Sequence, residues 1–78
     1  MKLYTVRQGR RYRARIELGL FEQVASNDMI AERLREAGFA EVNVTGDGRT
    51  REAEALWPVA DTSAEIPAQI AEIEEIEV

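Results

Sequence analysis

Five arginines fall within nine positions of the segment RQGRRYRARIEL (residues 7–18), in a chain whose formal net charge is −5. Guanidinium groups at this density grip phosphates or pair with carboxylates. The segment therefore reads either as a nucleic-acid-binding strand or as the basic row of a charge-matched sheet. Other chemistry is thin. The chain has neither histidine nor cysteine, which removes the usual general base, the commonest transition-metal ligand and all thiol chemistry. Ser26 and Ser63 have no histidine to activate them and read as helix caps. Gly46-Asp47-Gly48 is too short for a phosphate-cradling loop and lacks a following lysine, so it reads as a turn. Glu72, Glu74, Glu75 and Glu77 lack the mixed spacing of a calcium loop. No carboxylate pair stands out for acid–base work. These features predict a non-catalytic protein with no catalytic residues, no metal and no cofactor.

The elements that must hold the arginines can be read from periodicity. From Arg11 to Leu18 a period of two sets Tyr12, Ala14, Ile16 and Leu18 on one face and Arg11, Arg13, Arg15 and Glu17 on the other, as in a half-buried strand. Before it, Leu3 to Val6 is short and β-prone, and Gln8-Gly9 supplies a turn. ASNDMIAERLREAGF predicts a helix, with Ser26 as cap, Asp28 at the positive end of the dipole and Gly38-Phe39 as the stop. Ile30, Leu34 and Ala37 form its apolar stripe. EVNVTGDGRTREAEALW predicts a hairpin, with Val42 and Val44 on one strand and Ala53, Ala55 and Trp57 facing inward from the other. A second helix is expected from Thr62 or Ser63, with Glu65 completing a capping box and Ile66, Ile70 and Ile73 as its stripe. A last strand is expected to place Ile76 and Val78 on one face.

Residues 1–78 are thus expected to form a single α+β domain. The predicted fold is a ferredoxin-like βαββαβ sandwich with an extra N-terminal strand or arm, two helices covering one face of an antiparallel sheet. In that order the arginine strand lies between the Glu52/Glu54 strand and the acidic C-terminal strand. Residues 1–18 carry six basic side chains against Glu17, and residues 52–78 carry eight acidic ones and no basic one. The arginines are therefore read as the middle row of a charge-matched surface. Sheet-type RNA readers need exposed aromatic rings for base stacking, whereas Tyr12, Phe21, Phe39 and Trp57 all read as buried and only Tyr4 as exposed. Nucleic acid is the weaker reading, kept as an alternative that uses the basic N-terminal strand.

Residues 30–44, IAERLREAGFAEVNV, are similar to segments of βαββαβ families such as the SPOR domains, which bind peptidoglycan, and the ACT domains, which bind amino acids. An ACT-type likeness implies a small-molecule sensor with its ligand loop at GLFEQVASN, where the Asp-x-x-Gly pattern of that loop is missing. A SPOR-type likeness implies an export signal or anchor, which the sequence lacks. Membrane-spanning runs and signal-like segments are also missing, so a cytoplasmic location is expected. The arginine- and alanine-rich usage, with Lys2 the only lysine, is common in GC-rich bacterial genomes and their phages. The expected role is protein binding or assembly, with a homodimer the simplest case. The candidate surface is Leu3, Tyr4, Val6, Arg11, Arg13 and Arg15; neither a small-molecule ligand nor a membrane is expected as partner.

Overall fold

The computed structural model describes residues 3–19 and 25–76. The elements are β1 (Leu3–Val6), β2 (Arg11–Glu17), α1 (Asn27–Ala37), β3 (Ala40–Asp47), β4 (Thr50–Leu56), β5 (Thr62–Glu65) and β6 (Ile70–Ile76). β3, β4, β2 and β6, in that spatial order, form a four-stranded antiparallel sheet. β1 and β5 pair antiparallel as a separate two-stranded ribbon.

Among the described residues the architecture is mostly β, 54% strand and 16% helix, with one helix and two sheets. This overturns the expected ferredoxin-like α+β sandwich: there is no second helix among the described residues. Thr62, Ser63, Ala64 and Glu65 do not open a helix but form β5, and the isoleucine-bearing segment after them is β6. The reason lies in a bulge. Arg15 pairs with Glu72 and Ile16 with Ile70, leaving Ala71 as an extra residue. The bulge lets Ile70 and Ile73 both turn inward although they are three apart, a spacing that imitates a helix. Pro67 reinforces the choice, because a helix running from Ser63 would hold it where its ring and missing N–H disrupt the ladder. The N-terminal segment, expected as an extra strand or arm, is β1, and β5 is its partner.

The single helix follows its sequence signals closely. The Ser26 hydroxyl accepts from the Met29 N–H at 3.1 Å. At the other end the N–H of Gly38 donates to Arg35 O and that of Phe39 to Leu34 O, the paired bonds of a Schellman stop. Ile30 and Leu34 pack on the cluster Ile16, Leu18 and Ala53, as does Val44 of β3, so the helix covers the β3–β4 side of the inner sheet face. Its N-terminus is tied down by a residue whose position gave no warning. Arg51 lies on the inner face at 5% exposure, opposite Ile16 and Gly46. Its Nη1 donates to Asn27 Oδ1 at 2.7 Å and its Nε to Gly48 O, while Asn27 Nδ2 donates to Gly46 O. A buried guanidinium is tolerated when its donors are satisfied in this way.

Trp57 closes the other end. Its indole packs edge-on against Phe39 at 4.9 Å and its Nε1 donates to Ala60 O. Gly38 adopts φ +118°, and a Cβ there would lie 2.9 Å from Trp57 Cη2. Gly38→Ala therefore combines left-handed backbone strain with a clash against a buried ring. It is expected to cost about 1–3 kcal/mol, read as a lower urea midpoint with an unchanged slope.

Candidate functional site

The sequence-predicted site residues separate into two groups on opposite sides of the four-stranded sheet. Arg13 and Arg15 stand on the outer face. Arg13 pairs in register with Glu54 on β4 and Glu74 on β6, and Arg15 with Glu52 and Glu72. The side chains follow the register: Arg13 reaches Glu54 at 3.2 Å, Glu74 at 3.5 Å and Glu52 at 3.6 Å, and Arg15 reaches Glu72 at 3.5 Å. Two guanidinium groups thus sit in the middle of a carboxylate lattice that spans three strands. Arg11 differs, because its cross-strand neighbours are Leu56 and Ile76. It is half-buried and meets Glu41 at 3.4 Å instead. Glu41 itself sits at φ +49°, where the β3–β4 register shifts.

Tyr4 and Val6 lie on the inner side, and Leu3 points away from it. β1 alternates Leu3 and Thr5 exposed with Tyr4 and Val6 half-buried. The ribbon is held over the sheet by contacts at both ends. Tyr4 packs edge-on against Tyr12 at 5.9 Å. The Tyr12 hydroxyl accepts the Arg7 N–H and donates to Glu75, while the Gln8 N–H donates to Asp61 and the Gly9 N–H to Trp57 O. Within the ribbon, Thr5 Oγ1 and Ser63 Oγ share a bond of 2.6 Å. Leu3 is left 66% exposed.

Between sheet, helix and ribbon lies an apolar cavity of about 270 Å³. Its floor is the small-residue patch Ala14, Ala53 and Ala55, with Tyr12 beside it. Leu34, Ala37 and Phe39 wall it on the helix side, and Tyr4, Val6 and Ala64 roof it from the ribbon. The alanines face inward as the strand alternation predicts; the ribbon covers that region, and space remains. No polarity or spacing signal marks such a cavity, because it is made by three segments far apart in sequence.

The electrostatics of the inner side are mild. Partial burial, then the neighbouring Tyr12 and Glu75, hold the Tyr4 phenol above its ordinary value, with Arg7 opposing. Among the described residues, no group of three or more His, Cys, Asp or Glu side chains lies close enough to hold a metal ion. No described helix is long and apolar enough to cross a membrane. Phe21, Glu77, Val78 and most of the GLFEQVASN loop lie outside the described residues. Comparison with protein-family models, curated proteins and solved structures gives no significant match.

Two outcomes follow from this geometry. Arg13→Gln is expected to cost up to about 1 kcal/mol, the range of exposed ion pairs. Arg13→Glu should cost more, since it sets a fourth carboxylate among three, and 1 M NaCl should narrow the gap between the variants. The Tyr4 shift makes a separate prediction. Its phenol keeps its proton longer in the folded chain than in the unfolded one, so stability is unaffected below about pH 10 and falls above it. Urea midpoints at pH 8 and pH 10.5 check this, and Tyr4→Phe should flatten the decline.

Proposed function

We propose that this chain is a non-catalytic assembly module that pairs with a second copy of itself through the free edge of β1, and that it works in the cytoplasm. The observation that carries this reading is the contrast between β1 and the two edge strands of the four-stranded sheet. β1 pairs only with β5 among the described strands, and it carries no ionised side chain. An unpaired strand edge offers a row of N–H and C=O groups to another chain. Antiparallel self-pairing about Tyr4 sets Leu3 opposite Thr5, with no charge opposed to charge. The same operation about Ile73 of β6 sets Glu72 against Glu74, and about Val44 of β3 sets Glu41 against Asp47. Like charges directly opposite are destabilising, so these central registers of β6 and β3 set acid against acid, whereas the central register of β1 opposes no charges. Leu3, exposed and apolar, gains most from being covered.

Nucleic acid is not part of this proposal. Arg13 and Arg15 already face carboxylates, and the rings of Tyr12 and Trp57 are buried on the inner side, so among the described residues the outer face presents no aromatic platform for bases.

The test is analytical ultracentrifugation over a concentration series. A rise towards twice the 8.8 kDa chain mass is expected. Leu3→Lys keeps a favourable partner within the ribbon, opposite Glu65, yet should weaken the dimer at least tenfold, about 1.4 kcal/mol. A monomer at every concentration, or a dimer indifferent to Leu3→Lys, overturns the proposal.

A further inference from the structure

The inner cavity carries a second reading that does not depend on self-pairing. We propose that it is a binding site for a small, neutral, apolar molecule of about ten carbons, a medium-length aliphatic chain or two fused rings.

Size sets the upper limit. A dry cavity of about 150 Å³ lined by apolar side chains takes up benzene, and the cavity here is about 270 Å³. That volume suits a ligand nearly twice as large. Lining chemistry sets the class. The floor is Ala14, Ala53 and Ala55, and the walls include Leu34, Phe39 and Ile73. The polar groups that come near are already used. The Tyr12 hydroxyl is bonded to the Arg7 N–H and to Glu75, and the Trp57 Nε1–H to Ala60 O. Among the described residues no buried side-chain nitrogen or oxygen lacks a partner. Water needs two to four polar partners to occupy such a space, and a polar ligand would give up its own hydrogen bonds without replacement. Apart from the tyrosines, the one ionisable lining residue is Glu65, which repels an anionic head group.

Small residues make the site possible. Larger side chains at the three alanine positions would fill it and pack the ribbon directly on the sheet. The cavity is also partly open to solvent, so a ligand can enter without unfolding the core. Filling it brings Tyr4, Leu34 and Ile66 onto a common surface, replacing contacts that empty space forfeits.

Trp57 is the only tryptophan in the chain and lines the cavity, so its emission reads occupancy directly. Decan-1-ol, kept below its solubility limit, is expected to produce a saturable change in Trp57 emission and a raised melting temperature. Decanoate at pH 8 should bind at least tenfold more weakly. Ala55→Leu fills the floor and Ala64→Leu the roof; in whichever variant circular dichroism shows a folded protein, the decan-1-ol response should fall at least tenfold. Lack of a saturable response in the folded chain overturns the proposal. So does a response that survives both substitutions, which would put the probe elsewhere, and so does equal binding of decanoate, which would point to a surface amphiphile site.

Discussion

β2 accepts partners along both edges, β4 on one side and β6 on the other, and its two-residue alternation therefore fixes which residues of three strands turn inward. Tyr12, Ala14 and Ile16 bring Ala55, Ala53 and Arg51 with them from β4, and Glu75, Ile73 and Ile70 from β6. Arg13 and Arg15 bring the acids of the same strands to the other side. A slip of one residue would bury arginines and expose Ile16. The register is held by both faces at once: apolar burial on one side and opposite charges in line on the other. The ion pairs contribute little as isolated contacts, but a one-residue slip would lose them while turning the arginines inward, so weak pairs and apolar burial favour the same register.

The inner face is covered by two unlike pieces. α1 covers the β3–β4 side, with its start fixed by Asn27 to Arg51 and Gly46 and its end by Gly38 under Trp57. The ribbon covers the remainder, held by Tyr12 and by the chain around Trp57. A helix and a two-stranded ribbon do not tile a flat alanine floor, and the cavity is what their mismatch leaves. The acidic edges and the cavity thus share a cause, since both follow from β2 standing at the centre of a sheet too small to close on itself.

Much of this was legible in the sequence. The alternation from Arg11 to Leu18, the Ser26 cap, the Gly38-Phe39 stop and the Val42–Trp57 hairpin all appear where their local signals put them, because each is fixed by neighbours within a few residues. Placing the arginines among Glu52, Glu54 and the C-terminal acids needed only charge balance and strand order; Arg11, whose carboxylate comes from a bulge in β3, escaped that rule. The second helix was misread because Ile66, Ile70 and Ile73 fall at helical spacing, and the three-residue step from Ile70 to Ile73 is one that an inserted residue in a strand can equally produce. The β1–β5 pairing joins segments nearly sixty residues apart and leaves no local mark. Nor does Arg51, whose burial depends on Asn27 arriving from another element.

The bulge at Ala71 has one more consequence. In a regular strand, loss of a single residue inverts every side chain beyond it and is ruinous for a sheet with one apolar face. Ala71 is unpaired in the count between Ile70 and Glu72, so its deletion would leave Ile70 and Ile73 inward and Glu72 and Glu74 outward, in plain alternation. β6 is therefore tolerant of a length change that the central strand cannot survive, and a lineage carrying this sheet could gain or lose that residue while keeping both of its faces intact.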